Sequence, residues 1–263
     1  MLFHLPYKQF TARAHQRRIR RYFKQRFVVP AQTVSIDAPV NIMVFVNRSG
    51  STLISEYLQA TGAFSEFGEP LSSEMVIARS EASGADSLAS YLEGLYQEIS
   101  ASGRQVGFKA SFDQAMMLLR SQAIPHLFAN VRWIFVQRLD IVSQAISFCI
   151  AKQTNHWHSF ESANGAKPRY VFKDIEKTVR SISRTYADSM SLLSLCNISP
   201  YHLTYEQFLF DPIGETEKLS AFLGIDDVIV DTDQLRLKKQ SNEINQEFRA
   251  MFLRDFKAGF DGG

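Results

Sequence analysis

Apolar residues along this chain gather into short unbroken runs separated by longer stretches with helical spacing. Residues 42–46 (Ile42, Met43, Val44, Phe45, Val46) show no polar alternation, the pattern of a strand buried on both faces of a parallel sheet. Runs at Gln105–Lys109, Val131–Arg138 and Tyr201–Tyr205 predict three further short strands. Helical spacing begins at Leu53 and fills much of 72–104 around a small-residue loop at Ser83-Gly84-Ala85-Asp86. It returns after Leu139, runs from Tyr170 to Leu195 and from Glu215 to Leu223, and closes in a segment near 243–254. Strands alternating with helices in this order predict an α/β chain.

The first strand empties into Asn47-Arg48-Ser49-Gly50-Ser51-Thr52 and then directly into a helix. The first turn of a helix presents backbone N–H groups without intrahelical partners, at the positive end of its dipole. Gly50 allows close approach of an anion, Ser49, Ser51 and Thr52 add hydroxyl donors, and Arg48 adds a charged fork. The loop is not a Walker A sequence, because Ser51 stands where that pattern has lysine. An ordinary N-capped strand-to-helix turn is the competing reading.

Two other strand ends carry cations. Lys109 closes the second strand and Arg138 the third, and ligands of open parallel sheets bind at the carboxyl ends of strands. Ser143 and Ser147, four apart, share one face of the helix after Arg138. Lys109 either meets a ligand or is merely solvated; Arg138 with a helix serine makes a second phosphate clamp, or the serines are small packing residues. Residues 152–169 read as a polar loop in which His156 and His158 flank Trp157. The histidines suit a loop or a general base, and the tryptophan a sugar platform or a buried anchor. A basic stretch from Arg236 to Ser241, including Lys239, either closes over a nucleotide phosphate or is solvated.

Composition narrows these readings. The chain has 263 residues and 45% hydrophobic content, enough for one sizeable core. No apolar run reaches membrane-spanning length and no signal-peptide core opens the sequence, so a cytoplasmic location is expected. Cys149 and Cys196 are the only cysteines; without a disulfide framework or metal spacing, a reducing compartment and no metal are expected. Net charge is +2, yet residues 1–38 hold eight basic residues and one acid, leaving 21 basic and 26 acidic residues in the remainder. The body is mildly acidic, which does not support nucleic-acid binding. In residues 1–38, Ile19, Phe23 and Phe27 recur at helical spacing among arginines. This basic amphipathic arm either meets an anionic membrane surface, which would put the protein on the inner face of the membrane, or packs its stripe on the body. The expected division is an arm at 1–38 and a domain at 39–263.

With these pieces assembled, the chain resembles the PAPS-dependent sulfotransferases, specifically the bacterial Stf0 type that sulfates trehalose. The residues that carry the likeness are NRSGSTLISEYLQATG (47–62), GEP (68–70), VGFK (106–109), RLDIVSQAISF (138–148) and KQT (152–154), with weaker similarity in TYEQFLFDP (204–212) and KKQSNE (238–243). The likeness covers about residues 41–250. It implies a three-layer P-loop-type α/β domain with a central, mainly parallel sheet flanked by helices. It also implies that Arg48, Ser49, Gly50, Ser51 and Thr52 cradle the 5′-phosphosulfate of PAPS. Arg138 with Ser147, or with Ser143, would hold the 3′-phosphate, and Lys109 would lie near the sulfuryl group.

The sequence departs from the pattern at the general base. In the trehalose enzyme the GEP turn continues into a further glutamate; here Ser72 stands there by ungapped count. Glu69 is the expected base, Glu74 the alternative, and trehalose as acceptor is in doubt. The leading expectation is sulfuryl transfer to a hydroxyl of a carbohydrate or glycolipid, with a homodimer among the assemblies open to the chain. The competing functions are a P-loop kinase-like small-molecule phosphotransferase and a non-catalytic nucleotide-binding adaptor at the membrane.

Overall fold

The computed structural model describes residues 14–155, 157, 167–235 and 243–261. Among them four strands, β1 (Val40–Phe45), β2 (Val106–Ser111), β3 (Val131–Gln137) and β4 (Tyr201–Thr204), form one sheet in the order β2-β1-β3-β4. Every adjacent pair is parallel. The helices are α1 (Ala14–Phe23), α2 (Ser51–Ala60), α3 (Ser73–Ser83), α4 (Leu88–Ser100), α5 (Phe112–Arg120), α6 (Ala123–His126), α7 (Ile141–Thr154), α8 (Phe172–Leu195), α9 (Tyr205–Phe210), α10 (Pro212–Phe222) and α11 (Glu243–Asp261).

All six residues of β1 are buried, which explains the absence of alternation in its sequence. Its side chains divide between two cores. Ile42 and Val44 join Phe108, Phe135 and the apolar faces of α1, α4, α5, α7 and α8. Met43 joins Ile134, Val136 and Leu203 beneath α2 and α10. One sheet with a helical layer on each face is the three-layer architecture expected. The chain leaves β1, pairs β2 on one side and crosses to β3 on the other, so strand order reverses at β1. That reversal opens a crevice at the carboxyl end of β1, where open α/β sheets bind their ligands.

Of the two readings of the N-terminal apolar stripe, the structure has the packed one. Ile19, Phe23 and Phe27 are buried in the larger core, with Phe27 in a 3-10 turn that continues α1. Three elements differ from the sequence reading. No element was expected over 110–130, yet α5 lies there; Phe112 to Leu119 are all buried, with polar Asp113 and Gln114 among them, so its polar residues do not mark a solvent face. Helix α7 runs through Thr154 into the stretch read as loop, because Lys152 and Gln153 are polar residues on its solvent side. The six-residue α9 is set by a reciprocal capping box between Thr204 and Gln207 rather than by periodicity.

Candidate active site

The loop between β1 and α2 holds Arg48 at φ +65° and Gly50 at φ +90°, both left-handed. Glycine is required at 50: a Cβ there would lie 2.2 Å from Cδ2 of Tyr205. Ser49 turns inward, donating its N–H to Val46 O at 3.0 Å. Its hydroxyl is fully buried and has no hydrogen-bond partner among the described residues. An unmade buried hydrogen bond costs about 1–3 kcal/mol. The start of α2 is equally unserved, with no side-chain cap at Gly50. Helices α3, α4, α7, α9 and α10 are instead closed by Ser72, Ser87, Asp140, Thr204 and Asp211. An oxygen-rich anion would supply what both the hydroxyl and the free N–H groups lack.

Lys109 joins this loop to the acidic turn that follows α2. Its Nζ donates to Thr52 Oγ1 at 3.0 Å and pairs with Glu69 Oε1 at 2.9 Å. The lysine side chain is 5% exposed and the glutamate 41%, so the ammonium is buried and paired while the carboxylate keeps one side open. The turn is held to the sheet by three contacts. Phe64 and Phe67 pack on Gly107 of β2, where a Cβ would come within 2.4 Å of the Phe67 ring. Lys109 N–H donates to Gly68 O at 2.7 Å. Tyr91 Oη donates to Pro70 O at 2.6 Å, and burial pushes that phenol up to about 12. Glu69 is thus fixed by neighbours on β2 and α4.

At the end of β3, the Arg138 guanidinium lies over the Tyr205 ring, 4.9 Å from its centroid, and Nη1 is 3.5 Å from Arg48 O. Its Nε is buried without a hydrogen-bond partner among the described residues. Ser147 reaches the loop, accepting from Arg48 Nε at 2.9 Å, and Arg48 Nη1 donates to Trp157 O. Ser143 is turned elsewhere: its N–H and hydroxyl both donate to Asp140, at 3.0 and 2.7 Å, capping α7. Burial pushes the Asp140 carboxyl up, but the Ser143 N–H and hydroxyl together with Arg249 and Arg138 outweigh it, and the net displacement is downward.

Four residues not singled out from sequence hold this geometry. Gln144, fully buried, donates to Asn47 O at 2.9 Å and accepts from Tyr186 Oη at 2.9 Å. Tyr186 Oη in turn accepts from Arg138 N–H at 2.9 Å, so one relay ties the β1–α2 loop to the end of β3. Glu206 accepts from the N–H groups of Leu139 and Asp140 at 2.9 and 3.2 Å. Tyr205 touches both Gly50 and Arg138. Nothing in the spacing of Gln144, Tyr186, Tyr205 or Glu206 marks them, since their partners lie on other elements.

Beside Glu69 and Asn47 opens a cavity of about 770 Å³, walled by the end of β1 and by residues of α1, α5, α7 and α8. Ser72 lines it while capping α3 with its hydroxyl, 3.2 Å from Met75 N. Glu74 is not among the described residues that line it. Its carboxylate is bound to Arg18 and to Ser73 Oγ; its own backbone N–H holds it below the usual range, burial opposes this next, and Ser73, Arg18 and His15 add smaller downward effects. Lys239, His156 and His158 lie outside the described residues. Among the described residues no group of histidine, cysteine or carboxylate side chains is arranged to hold a metal, and no helix is long and apolar enough to cross a membrane.

A family model described as Stf0 sulphotransferase matches residues 113–255, a span that includes Arg138, Ser143 and Ser147 and begins after the β1–α2 loop and Lys109. No curated protein sequence matches the chain. Among solved structures, the sulfotransferase domain from the curacin biosynthetic pathway superposes with a TM-score of 0.52 at 16% identity, covering 82% of this chain and 83% of that one. A sulfotransferase from Alicyclobacillus acidocaldarius gives 0.44 at 15% identity, covering 84% and 93%. The first likeness is one of fold.

Proposed function

Since the chain belongs to the Stf0 sulphotransferase family, we propose that it moves a sulfuryl group from PAPS to a hydroxyl of a carbohydrate or glycolipid, with Glu69 as base. The observation that carries this reading is Lys109, whose single ammonium touches both the phosphate loop and the carboxylate that faces the cavity. Sulfuryl transfer needs those parts together: donors for the charge that gathers on the leaving 5′-phosphate, and a proton acceptor beside the incoming hydroxyl.

In this scheme Ser49, Ser51, Thr52 and the opening N–H groups of α2 hold the phosphosulfate. Arg138 receives the 3′-phosphate, together with Ser147, which accepts from Arg48 Nε; Ser143, engaged with Asp140, is the weaker candidate. The acceptor oxygen attacks sulfur and forms the new S–O bond. The bond to the phosphate oxygen breaks, that oxygen keeps the electron pair, and Glu69 takes the hydroxyl proton. A phosphosulfate in the loop competes with Glu69 for Lys109, so nucleotide binding itself releases the base. The cavity suits a polyhydroxylated acceptor: its volume falls within the range of ordinary ligand pockets, and Gln114, Gln153 and Thr185 are interspersed with Phe45, Phe112 and Phe148.

The nucleotide part is tested by thermal denaturation. 3′-Phosphoadenosine 5′-phosphate (PAP) at a hundred times its dissociation constant should raise the melting temperature by about 5–10 °C, and ADP at the same concentration clearly less. Equal shifts would remove the 3′-phosphate site from the account.

A further inference from the structure

Burying Ile19 and Phe23 fixes which side of α1 faces outward. Gln16, Ile19 and Phe23 form the inward side, and Arg17, Arg20, Arg21 and Lys24 are all exposed. Arg20 and Arg21, three and four residues from Arg17, share one stripe of α1, and Lys24 adds a fourth exposed cation just past the helix, where the backbone turns at φ +53°. The neighbouring cations are used internally: Arg18 pairs with Glu74 and Arg26 with Asp86. None of the four outward cations has a salt-bridge partner among the described residues, and no acid interrupts the sequence from Arg17 to Phe27. Residues 39–263 carry an excess of acids, so this helix is the part of the chain suited to an anionic surface.

The same helix belongs to the candidate active site. Ala14 and His15, in its first turn, line the cavity that Glu69 faces. A surface that engages the stripe therefore lies against the element that walls the acceptor cavity. We propose that the outward face of α1 docks the protein on an anionic lipid bilayer, and that the acceptor hydroxyl belongs to a lipid headgroup in that bilayer. The second half rests on the sulfuryl-transfer reading above; the docking half does not. A bilayer is favoured over an acidic protein because one lipid surface offers both the negative charge for the stripe and the acceptor for the cavity beside it. Each cation near such a surface contributes roughly a fivefold gain in partitioning, so four give a gain on the order of several hundredfold.

The test is sedimentation of the full chain with vesicles of phosphatidylcholine alone and of phosphatidylcholine with phosphatidylserine, alongside the variant R17Q/R20Q/R21Q/K24Q. The wild type should sediment with the anionic vesicles only and be released by high salt, where screening shortens to about 3 Å at 1 M. The variant should bind about a hundredfold or more weakly while keeping the wild-type melting shift with PAP. Equal sedimentation of the two proteins, salt-insensitive binding, or capture by soluble polyanions in preference to anionic vesicles would overturn the docking proposal. The PAP shift separates the two readings: vesicle binding without it leaves docking standing and sinks the transfer reading. The shift without vesicle binding does the reverse. Transfer of label to soluble sugar but never to vesicle lipid would overturn the acceptor half.

Discussion

Glu69→Gln is expected to lower sulfuryl transfer by about 10²–10⁴-fold, the usual contribution of a positioned base, with PAP affinity unchanged. The substitution keeps the shape of the side chain and its place in the turn held by Phe64, Phe67, Gly68 and Tyr91. It removes the group that would accept the hydroxyl proton and the partner of the Lys109 ammonium. A buried lysine deprived of its carboxylate is costly, so the variant should melt below the wild type without nucleotide, and PAP should recover part of the difference by offering Lys109 an anion. Unchanged turnover would move the base away from this turn. Glu74, bound to Arg18 and absent from the cavity wall, is the alternative to measure next.

Arg138→Ala should weaken PAP binding by about 30- to 3,000-fold, the range for losing one partner of a buried charge-assisted pair, and leave ADP binding nearly as it was. Its Nε is buried without a hydrogen-bond partner among the described residues, and its guanidinium is otherwise held by a ring face and a long contact to Arg48 O. Isothermal titration with both nucleotides measures the difference. Equal losses for PAP and ADP would show that Arg138 acts through the shape of the loop, by way of Arg48 and Tyr205, rather than through a 3′-phosphate.

The sheet was legible in the sequence because its strands are short, apolar and bounded by polar turns; burial on both faces removes alternation, and the missing alternation is itself the signal. Helix α5 was not legible, for a different reason: its polar Asp113 and Gln114 are buried along with its apolar residues, so the local pattern does not show which face meets solvent. In the candidate site, a candidate anion loop could be read from Ser49, Gly50 and Ser51, without the lysine of the Walker pattern. The fold brings a lysine to this loop from another strand. Lys109 reaches Thr52 from β2, a contact between residues 57 apart in the chain that only the pairing of β1 with β2 creates.

The supporting residues stayed hidden on similar grounds. Gln144 bridges Asn47 and Tyr186 across three elements, and Glu206 caps the start of α7 from α9. Neither role leaves a trace in neighbouring residues. Ser143 and Ser147 look equivalent on a helical wheel, and what separates them is Asp140, which takes the Ser143 hydroxyl as part of an N-cap. Ser72, at the position where the related pattern continues into glutamate, likewise has a structural duty as the cap of α3.

The central claim is that this chain transfers a sulfuryl group from PAPS through a site built on Lys109 and Glu69. The measurement that meets it directly is incubation of the full chain with sulfur-labelled PAPS and carbohydrate and lipid extracts of its host, beside the Glu69→Gln variant. Label should pass to a hydroxylated acceptor, with one PAP released for each group transferred, and the variant should pass almost none while still binding PAP. Tight binding of PAPS without transfer to any acceptor, or phosphate moved from ATP in its place, would contradict the account.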